Sequence, residues 1–486
     1  MNIKNSSVKL LLFASFLFVL SSCDSGDPDP MPPAIGGTIE VEGGRGTDVE
    51  VGVSLRAETG IQALSVSVEG GAAQTLEVTP GAINQAVAFP FSIPADATVG
   101  TSWSMVFTMT DQEGDTQTFD AMVVVGNLID PPETYAFTRD EESTVSFPNP
   151  QARLNQLTEM VAYLGTADAG GAITEQALLD MFANTGNNGG GNFSFTSDLQ
   201  LMDRTFAADL SANLFEDFFS DAAIASTAGS MGTVGDSAVA GLLTREVEGS
   251  TFLVDANGRA VTQLIEKGLM GAVLYNEIYN TYLTDNLIGE SIENVTLAVG
   301  NNYTEAENNI DQAFGYFGAP VDFASGWPEA RETEATFWSK YSNIIDAVDE
   351  DALNLNDDVM EDYIATRSAI VNNDPPLRNA HRDSLYEHLE MVAAAAAVHF
   401  INDAVEALDA GNQGEAMYAI SNVWGFVNAL RYSPVAAMSP TAIDTILSAN
   451  LGAGGNFWAA DVAGLNAAKA TLVSNYSGLA DLQESL

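Results

Sequence analysis

"NPQARLNQLTEMVAYLG", residues 149–165, is where the period of the chain changes. Leu154, Leu157, Met160, Val161 and Leu164 recur every three or four residues and share one face of an amphipathic helix. Downstream, the same spacing predicts helices over about 173–184, 234–246, 257–283, 302–315, 334–347, 357–371, 378–410, 413–430, 439–450 and 456–483. "MVAAAAAVHF" (391–400) is the most apolar of these, and its alanine faces predict a central helix. Residues 185–232 are rich in Gly, Asn and Ser and predict a long variable excursion.

Upstream the period is two. "GTIEVEG", "DVEVGVSL", "ALSVSVEG", "QTLEVTP", "AVAFPFSIP", "SWSMVFTMTD" and "TFDAMVVVG" each alternate apolar and polar residues. Turn signals separate them at Gly43-Gly44, Gly70-Gly71, Pro80-Gly81 and "DQEGD" (111–115). About seven short strands over 35–127 predict an antiparallel β-sandwich. "NLIDPPETYAF" carries a linker at 128–136, and 137–486 reads as an all-α domain. The chain is thus multidomain.

Charge excludes some partners. The 486 residues hold 66 acidic and 17 basic side chains, a net of −49, with mean hydropathy +0.06. Nucleic-acid backbones need clustered Lys and Arg, so such a surface repels them. The acid is spread along the chain, which predicts a solvated shell suited to high salt, where screening relieves self-repulsion.

The first residues read as a signal peptide, 1–22. Lys4 and Lys9 precede an apolar run too short to span a bilayer stably, and "LSSC" (20–23) has the form of a lipobox. Cys23 is the single cysteine, so no intrachain disulfide can form, and it is the predicted lipid-attachment residue. Cleavage before it removes two lysines and no acid, taking the net charge from −49 to −51. Residues 23–34, acidic and Pro-rich, read as a solvated tether. The expected location is the cell envelope, lipid-anchored to the outer membrane, periplasmic or surface-exposed.

Two resemblances add to this reading. "IPADATVGTSWSMVFTMTDQEGDT" resembles the Ig-like modules of bacterial surface proteins. "ESTVSFPNPQARLNQLTEM", "EKGLMGAVLYNEIY", "DQAFGYFGAP", "FWSKYSN", "TRSAIVNND" and the stretch from "AAAAVHFINDA" to "GFVNALRY" resemble a family of uncharacterised secreted bacterial lipoproteins, itself similar to the imelysin-like helical proteins. That resemblance implies a fold of two helix-bundle halves. It also implies a His-x-x-Glu metal pair just before "AFGYFG", where this chain has Asn309 and Gln312, and a second pair where it has Tyr418 and Asn422. The amides keep the size and lose the ligand character. The resemblance therefore implies a degenerate site between bundles, lined by Asn309, Gln312, Tyr316, Ser421, Asn422 and Trp424, with no metal and no cofactor. Asp311 points off the 309/312 face, and Glu305 and Glu307 lie nearer the solvent end.

Other chemistry is sparse. His381, His388 and His399 fall near one stripe of a helix, roughly 10 and 16 Å apart, too far for shared chelation of one ion. Two are expected at the surface and one packed. No HExxH, CxxC, P-loop or GxSxG occurs. Asp346, Asp349, Glu350 and Asp351 read as a solvated helix end. Cations are rare, so Lys267, Arg367 and Arg431 on apolar helices predict structural ion pairs. The functional expectation is a non-enzymatic binding protein for a small ligand or surface partner. Its rivals are a metal-dependent imelysin-like peptidase or uptake protein, and a structural or adhesion protein.

Overall fold

A computed structural model describes residues 31–44, 47–94, 97, 100–126, 131–205, 212–228, 239–294, 296–348 and 353–486. The proposed signal peptide and Cys23 lie outside them, as do Asp349, Glu350 and Asp351. The chain divides into two compact units, 1–131 with 368–378, and 132–367 with 379–486.

The first unit is a sandwich. One sheet joins β1 (Ala34–Gly37), β3 (Asp48–Arg56) and β6 (Asn84–Ser92). The other has the order β2-β8-β7-β4-β5, from β2 (Glu40–Gly43), β8 (Thr116–Val125), β7 (Ser102–Asp111), β4 (Ile61–Val68) and β5 (Gln74–Leu76). The alternation is the cause. On β7, Met105, Phe107 and Met109 point inward and are fully buried, while Ser104 and Val106 point out. Phe107 meets Phe89 of the opposite sheet edge-to-face at 6.2 Å. Pro90 sits on β6, which among the described residues is an edge strand paired with β3, so its missing N–H breaks no ladder. The predicted first strand is two: β1 pairs antiparallel with β3, and β2 crosses to the other sheet and pairs parallel with β8.

The second unit is helical. It opens with the two-residue strands β9 (Thr138–Arg139) and β10 (Glu142–Ser143), then α1 (Pro148–Asp168), where Pro148 and Pro150 occupy first-turn positions that need no N–H. Leu154, Leu157, Met160 and Leu164 are buried as their spacing predicts, and Val161 is half-buried. There follow α2 (Glu175–Phe182), α3 (Ala212–Ser226), the hairpin β11 (Gly241–Thr244) and β12 (Thr251–Val254), and α4 (Val261–Leu269). α4 runs on through two wide, π-type turns, Met270–Tyr275 and Ile278–Tyr282. Next come α5 (Asp285–Ile288), α6 (Glu305–Phe317), α7 (Trp338–Asp346), α8 (Leu355–Val371), α9 (Pro375–Ala410), α10 (Gln413–Ala429), α11 (Pro440–Thr445) and α12 (Val462–Asn475).

Three sequence expectations are corrected. Residues 241–244 are strand, not helix: "GLLT" pairs with "TFLV" and buries alternate side chains. The 185–232 excursion contains α3, whose Phe215, Phe218 and Phe219 are core. The last predicted helix is interrupted, with only 462–475 α-helical and short 3-10 turns on either side.

α9 is central, as its alanines predict: Val392 through Val398 are all 0% exposed. It is long and apolar enough to cross a membrane by length and composition, yet more than half of that apolar stretch is buried here. α10 lies close on α4 because position 425 is glycine; a Cβ there would stand 2.2 Å from Cβ of Lys267.

Candidate functional site around helix α6

α6 starts with a capping box. The Thr304 hydroxyl accepts the Glu307 N–H at 3.3 Å, and the Glu307 carboxylate accepts the Thr304 N–H at 2.8 Å. It ends at Gly318, whose φ of +83° is the left-handed cap conformation; a Cβ there would meet the Thr336 carbonyl at 2.5 Å. Between these caps every polar side chain facing the protein is used to fasten it.

Glu307 and Asp311 are one turn apart on the buried face, and both are inaccessible to solvent. This corrects the expectation that Glu307 lies at the solvent end. Arg367 of α8 meets both. Its Nε donates to Asp311 Oδ1 at 3.1 Å and its Nη2 to Thr144 Oγ1 at 3.1 Å. Its Nη1 stands 3.1 Å from Glu307 Oε1 at an angle that makes no hydrogen bond, so that contact is Coulombic. Arg139 adds a two-pronged contact to Glu307 at 2.8 and 3.2 Å. Asp311 also accepts the Tyr135 hydroxyl at 2.9 Å and the Ser146 N–H at 3.1 Å. Tyr135 lies inside the expected linker, yet it is fully buried and stacks on Phe314 with centroids 3.9 Å apart.

The two carboxylates respond oppositely to this setting. Burial pushes Asp311 up to about 6, against the pull of Arg367. Burial also pulls Glu307 upward, but Arg367, Arg139 and the Thr304 N–H outweigh it and leave it below its ordinary value.

The predicted amide pair is tied to backbone. Asn309 donates to the Leu287 carbonyl at 2.7 Å and Gln312 to the Ser146 carbonyl at 2.9 Å. Asn308 joins Gln312 on Ser146 O at 2.7 Å. Ser421 and Asn422 sit elsewhere. The Ser421 hydroxyl accepts the Ala260 N–H at the head of α4 and donates to Met417 O, while Asn422 donates to Tyr418 O within α10. Trp424 packs edge-on against Phe218 at 5.4 Å. The structure therefore gives the α6 amides and the α10 residues separate hydrogen-bond partners.

Tyr316 belongs to a second polar group. Its hydroxyl accepts Arg153 Nη1 at 2.8 Å and faces Glu277 Oε2 at 3.5 Å, with Arg204 Nε 3.8 Å from the same oxygen. Burial raises Glu277, offset by Arg204, and raises Tyr316 strongly. Glu277 sits between the two π-type turns, a backbone form that recurs at functional sites.

The histidines are partly exposed, and His381 and His388 share Asp362: their Nδ1 atoms lie 3.0 and 2.7 Å from its two oxygens. His399 contacts the Leu486 carbonyl at 2.6 Å. The predicted ion pairs form: Lys267 with Glu266, beside a hydrogen bond to Gln263 Oε1, and Arg431 with Asp444. Asp346 is buried rather than solvated, accepting from Ser325 Oγ and Asn356 N. No group of three or more His, Cys, Asp or Glu side chains is arranged to hold a metal ion among the described residues.

One open cavity of about 390 Å³ lies at the head of α6. Glu293, Asn301, Tyr303, Glu305, Asn308 and Asn309 contribute its polar wall, and Leu297 and Val299 its apolar one. No cationic side chain lines it among the described residues.

Sequence reasoning missed Glu307, Asp311, Arg139, Tyr135 and Glu277. The available signal was the scarcity of arginine in an acid-rich chain, which makes each Arg a pointer to a buried carboxylate. Ser146, Asp311, Tyr316 and Arg367 all come from segments that carry the family resemblance, and those segments meet here.

No curated protein matches this chain by sequence. Among solved structures, a polysaccharide lyase aligns at 9% identity over 82% of this chain and 58% of that chain, with a TM-score of 0.14, too loose a superposition to bear on fold or activity. The profile of a domain of unknown function, DUF4856, matches residues 132–477, more than half of the chain and the whole of the α6 network. The protein belongs to the DUF4856 family.

Proposed function

We propose that this is a lipid-anchored cell-envelope protein whose helical unit binds a small ligand without catalysing a reaction. The observation that supports it is the cavity at the head of α6, with Asn309 on its wall. Two carboxylates, three amides and a phenol line it, and no cation does among the described residues. Such a wall suits a ligand rich in hydrogen-bond donors, an amine or a polyol, held beside an apolar patch. Catalysis needs a titrating group with free access to substrate. Asp311, Glu307 and Arg367 are closed off and spent on one another, and the cavity's own carboxylates, Glu293 and Glu305, have no His, Cys, Ser or cation beside them on its wall among the described residues.

The kinship to imelysin-like proteins remains part of this proposal, with Asn309 and Gln312 standing where that motif has His and Glu. Anchoring rests on the lipobox-like "LSSC", and the acid excess is read as a high-salt adaptation.

Calorimetry and thermal-shift titration against a panel of amines and sugars tests the reading. Binding is expected for one class and is lost in Asn309→Leu with Tyr303→Ala, without loss of the fold. Turnover of a substrate, or binding untouched by those changes, overturns it. Mass spectrometry of the membrane fraction tests the anchor: an N-terminal lipopeptide at Cys23 is expected, and an unmodified Cys23 in soluble protein refutes it.

A further inference from the structure

Where α7 ends and α8 begins, oxygen atoms gather that neither the α6 network nor its cavity uses. Asp346, the last residue of α7, is 1% exposed. Its Oδ1 accepts the Asn356 N–H at 3.3 Å and lies 3.2 Å from Ser325 Oγ. Its Oδ2 is buried and has no hydrogen-bond partner. Asn354 Oδ1 stands 3.0 Å from the same Ser325 hydroxyl, and the Ser325 N–H donates to Asp357 Oδ1 at 2.8 Å. Ser325 therefore brings two carboxylates and an amide oxygen to one spot.

Donors run short there. The Ser325 hydroxyl has a single proton for two acceptor oxygens. Turning the Asn354 amide over would relieve that contact and still leave Asp346 Oδ2 bare. Arg331, the cation nearest in sequence to Ser325, is spent on Asp322 and Glu334, and Lys340 of α7 holds its ammonium over the Tyr341 ring. Among the described residues no Lys, Arg or His forms an ion pair with Asp346 or Asp357. The spot is also held in shape. Asn356, 0% exposed, donates through Nδ2 to Ala324 O at 3.2 Å and Asn343 Oδ1 at 3.1 Å, and its Oδ1 accepts the Ser342 hydroxyl at 2.7 Å. Three segments of chain are thus pinned around it.

A buried carboxylate with a bare oxygen and no counter-charge is costly. We propose that this spot binds one calcium ion through Asp346, Ser325, Asn354 and Asp357. All four offer oxygen, which selects hard cations over soft ones. Two carboxylates balance two positive charges, and an amide and a hydroxyl complete the set in place of a third acid. Separations of 3.0 and 3.2 Å between donor atoms fit oxygens that share an ion at about 2.3–2.6 Å. Ser325 and Asn354 are half-buried and Asp357 is exposed, so water reaches the remaining coordination positions. Calcium tolerates such an irregular, partly hydrated shell, whereas magnesium demands a near-regular octahedron at shorter distance.

The test strips the full chain with EDTA and titrates it with calcium or magnesium chloride, read by calorimetry and by melting temperature. Ionic strength is held constant so that general screening is equal throughout. The expected result is one calcium per chain, half-saturating at about 0.1–1 mM as in extracellular calcium modules, with a weaker response to magnesium. Asp346→Asn abolishes the response, and Asp357→Asn raises the half-saturating concentration about tenfold. Glu305→Gln, in the cavity at the head of α6, leaves it unchanged. A wild type without a saturable calcium response, an equal response to magnesium, or an undiminished response in Asp346→Asn overturns the proposal. If Asp346→Asn fails to fold, Asp357→Asn decides, since residue 357 is exposed: an unchanged half-saturating concentration overturns it.

Discussion

Arg367 places its Nε 3.1 Å from Oδ1 of Asp311, and solvent reaches neither side chain. The same guanidinium faces Glu307, so one cation from α8 neutralises part of two carboxylates on α6. Removing it leaves Asp311 with no ion-pair partner, while Glu307 keeps Arg139. Arg367→Met is expected to cost about 3–5 kcal/mol, the usual penalty for breaking a buried pair from one side. Denaturant titration measures it, and a loss below about 1 kcal/mol would show that the network holds without its centre.

The pH dependence of stability has a definite sign here. Asp311 goes from an ordinary 3.8 to about 6 on folding, so the folded protein binds the proton more tightly. Its contribution to stability is complete below pH 3.8 and is lost as pH rises through about 6. Glu307 is lowered, so its contribution is present above its ordinary 4.5 and is lost as pH falls through its folded value. The stability of wild type minus that of Asp311→Asn should therefore decline between about pH 4 and 6. A difference curve that is flat or climbs there contradicts the assignment.

Gln312→Glu tests the amide reading. Gln312 supplies a donor to the Ser146 carbonyl, and a carboxylate would set acceptor against acceptor in a buried place. The expected loss is about 1–3 kcal/mol, read from denaturation midpoints. Combining it with Asn309→His, to rebuild a His-x-x-Glu pair, should therefore destabilise the fold before it creates metal affinity. A double variant as stable as wild type would show that the amides are dispensable.

Gly425→Ala puts a methyl group 2.2 Å from Cβ of Lys267, where backbone as well as side chain must yield. The cost should reach the upper end of the roughly 1–3 kcal/mol typical of overpacking. A melting temperature within a degree of wild type would mean that the α4–α10 approach is looser than described.

The strands of the sandwich were legible because each buries one face: the alternation of 102–111 is the alternation of Met105, Phe107 and Met109 with their exposed neighbours. α1 was legible for the same reason at the helical period. "GLLT" was not, since four residues are too few to distinguish periods and only pairing with 251–254 makes them a strand. α3 was hidden by the Gly- and Asn-rich stretch before it. The centre of α6 was the least legible. Glu307 and Asp311 look like ordinary solvated acid in a chain with 66 acidic residues, and their partners come from 168 and 56 positions away. Local pattern carries no information about such pairings.

The strap of chain from Tyr135 to Ser146 has a mechanical meaning. The helical unit is entered at Pro132, so any pull on the chain before that point is felt first by this strap. Its holding points are the Tyr135 hydroxyl and the Ser146 N–H on Asp311, and the Arg139 fork on Glu307, with the Tyr135 ring seated on Phe314. These bonds are spaced along the strap and end on a single helix. A load applied at the N-terminal side must break the half-buried Arg139–Glu307 pair before α1 begins to peel, so α6 serves as the cleat that holds this entry strap.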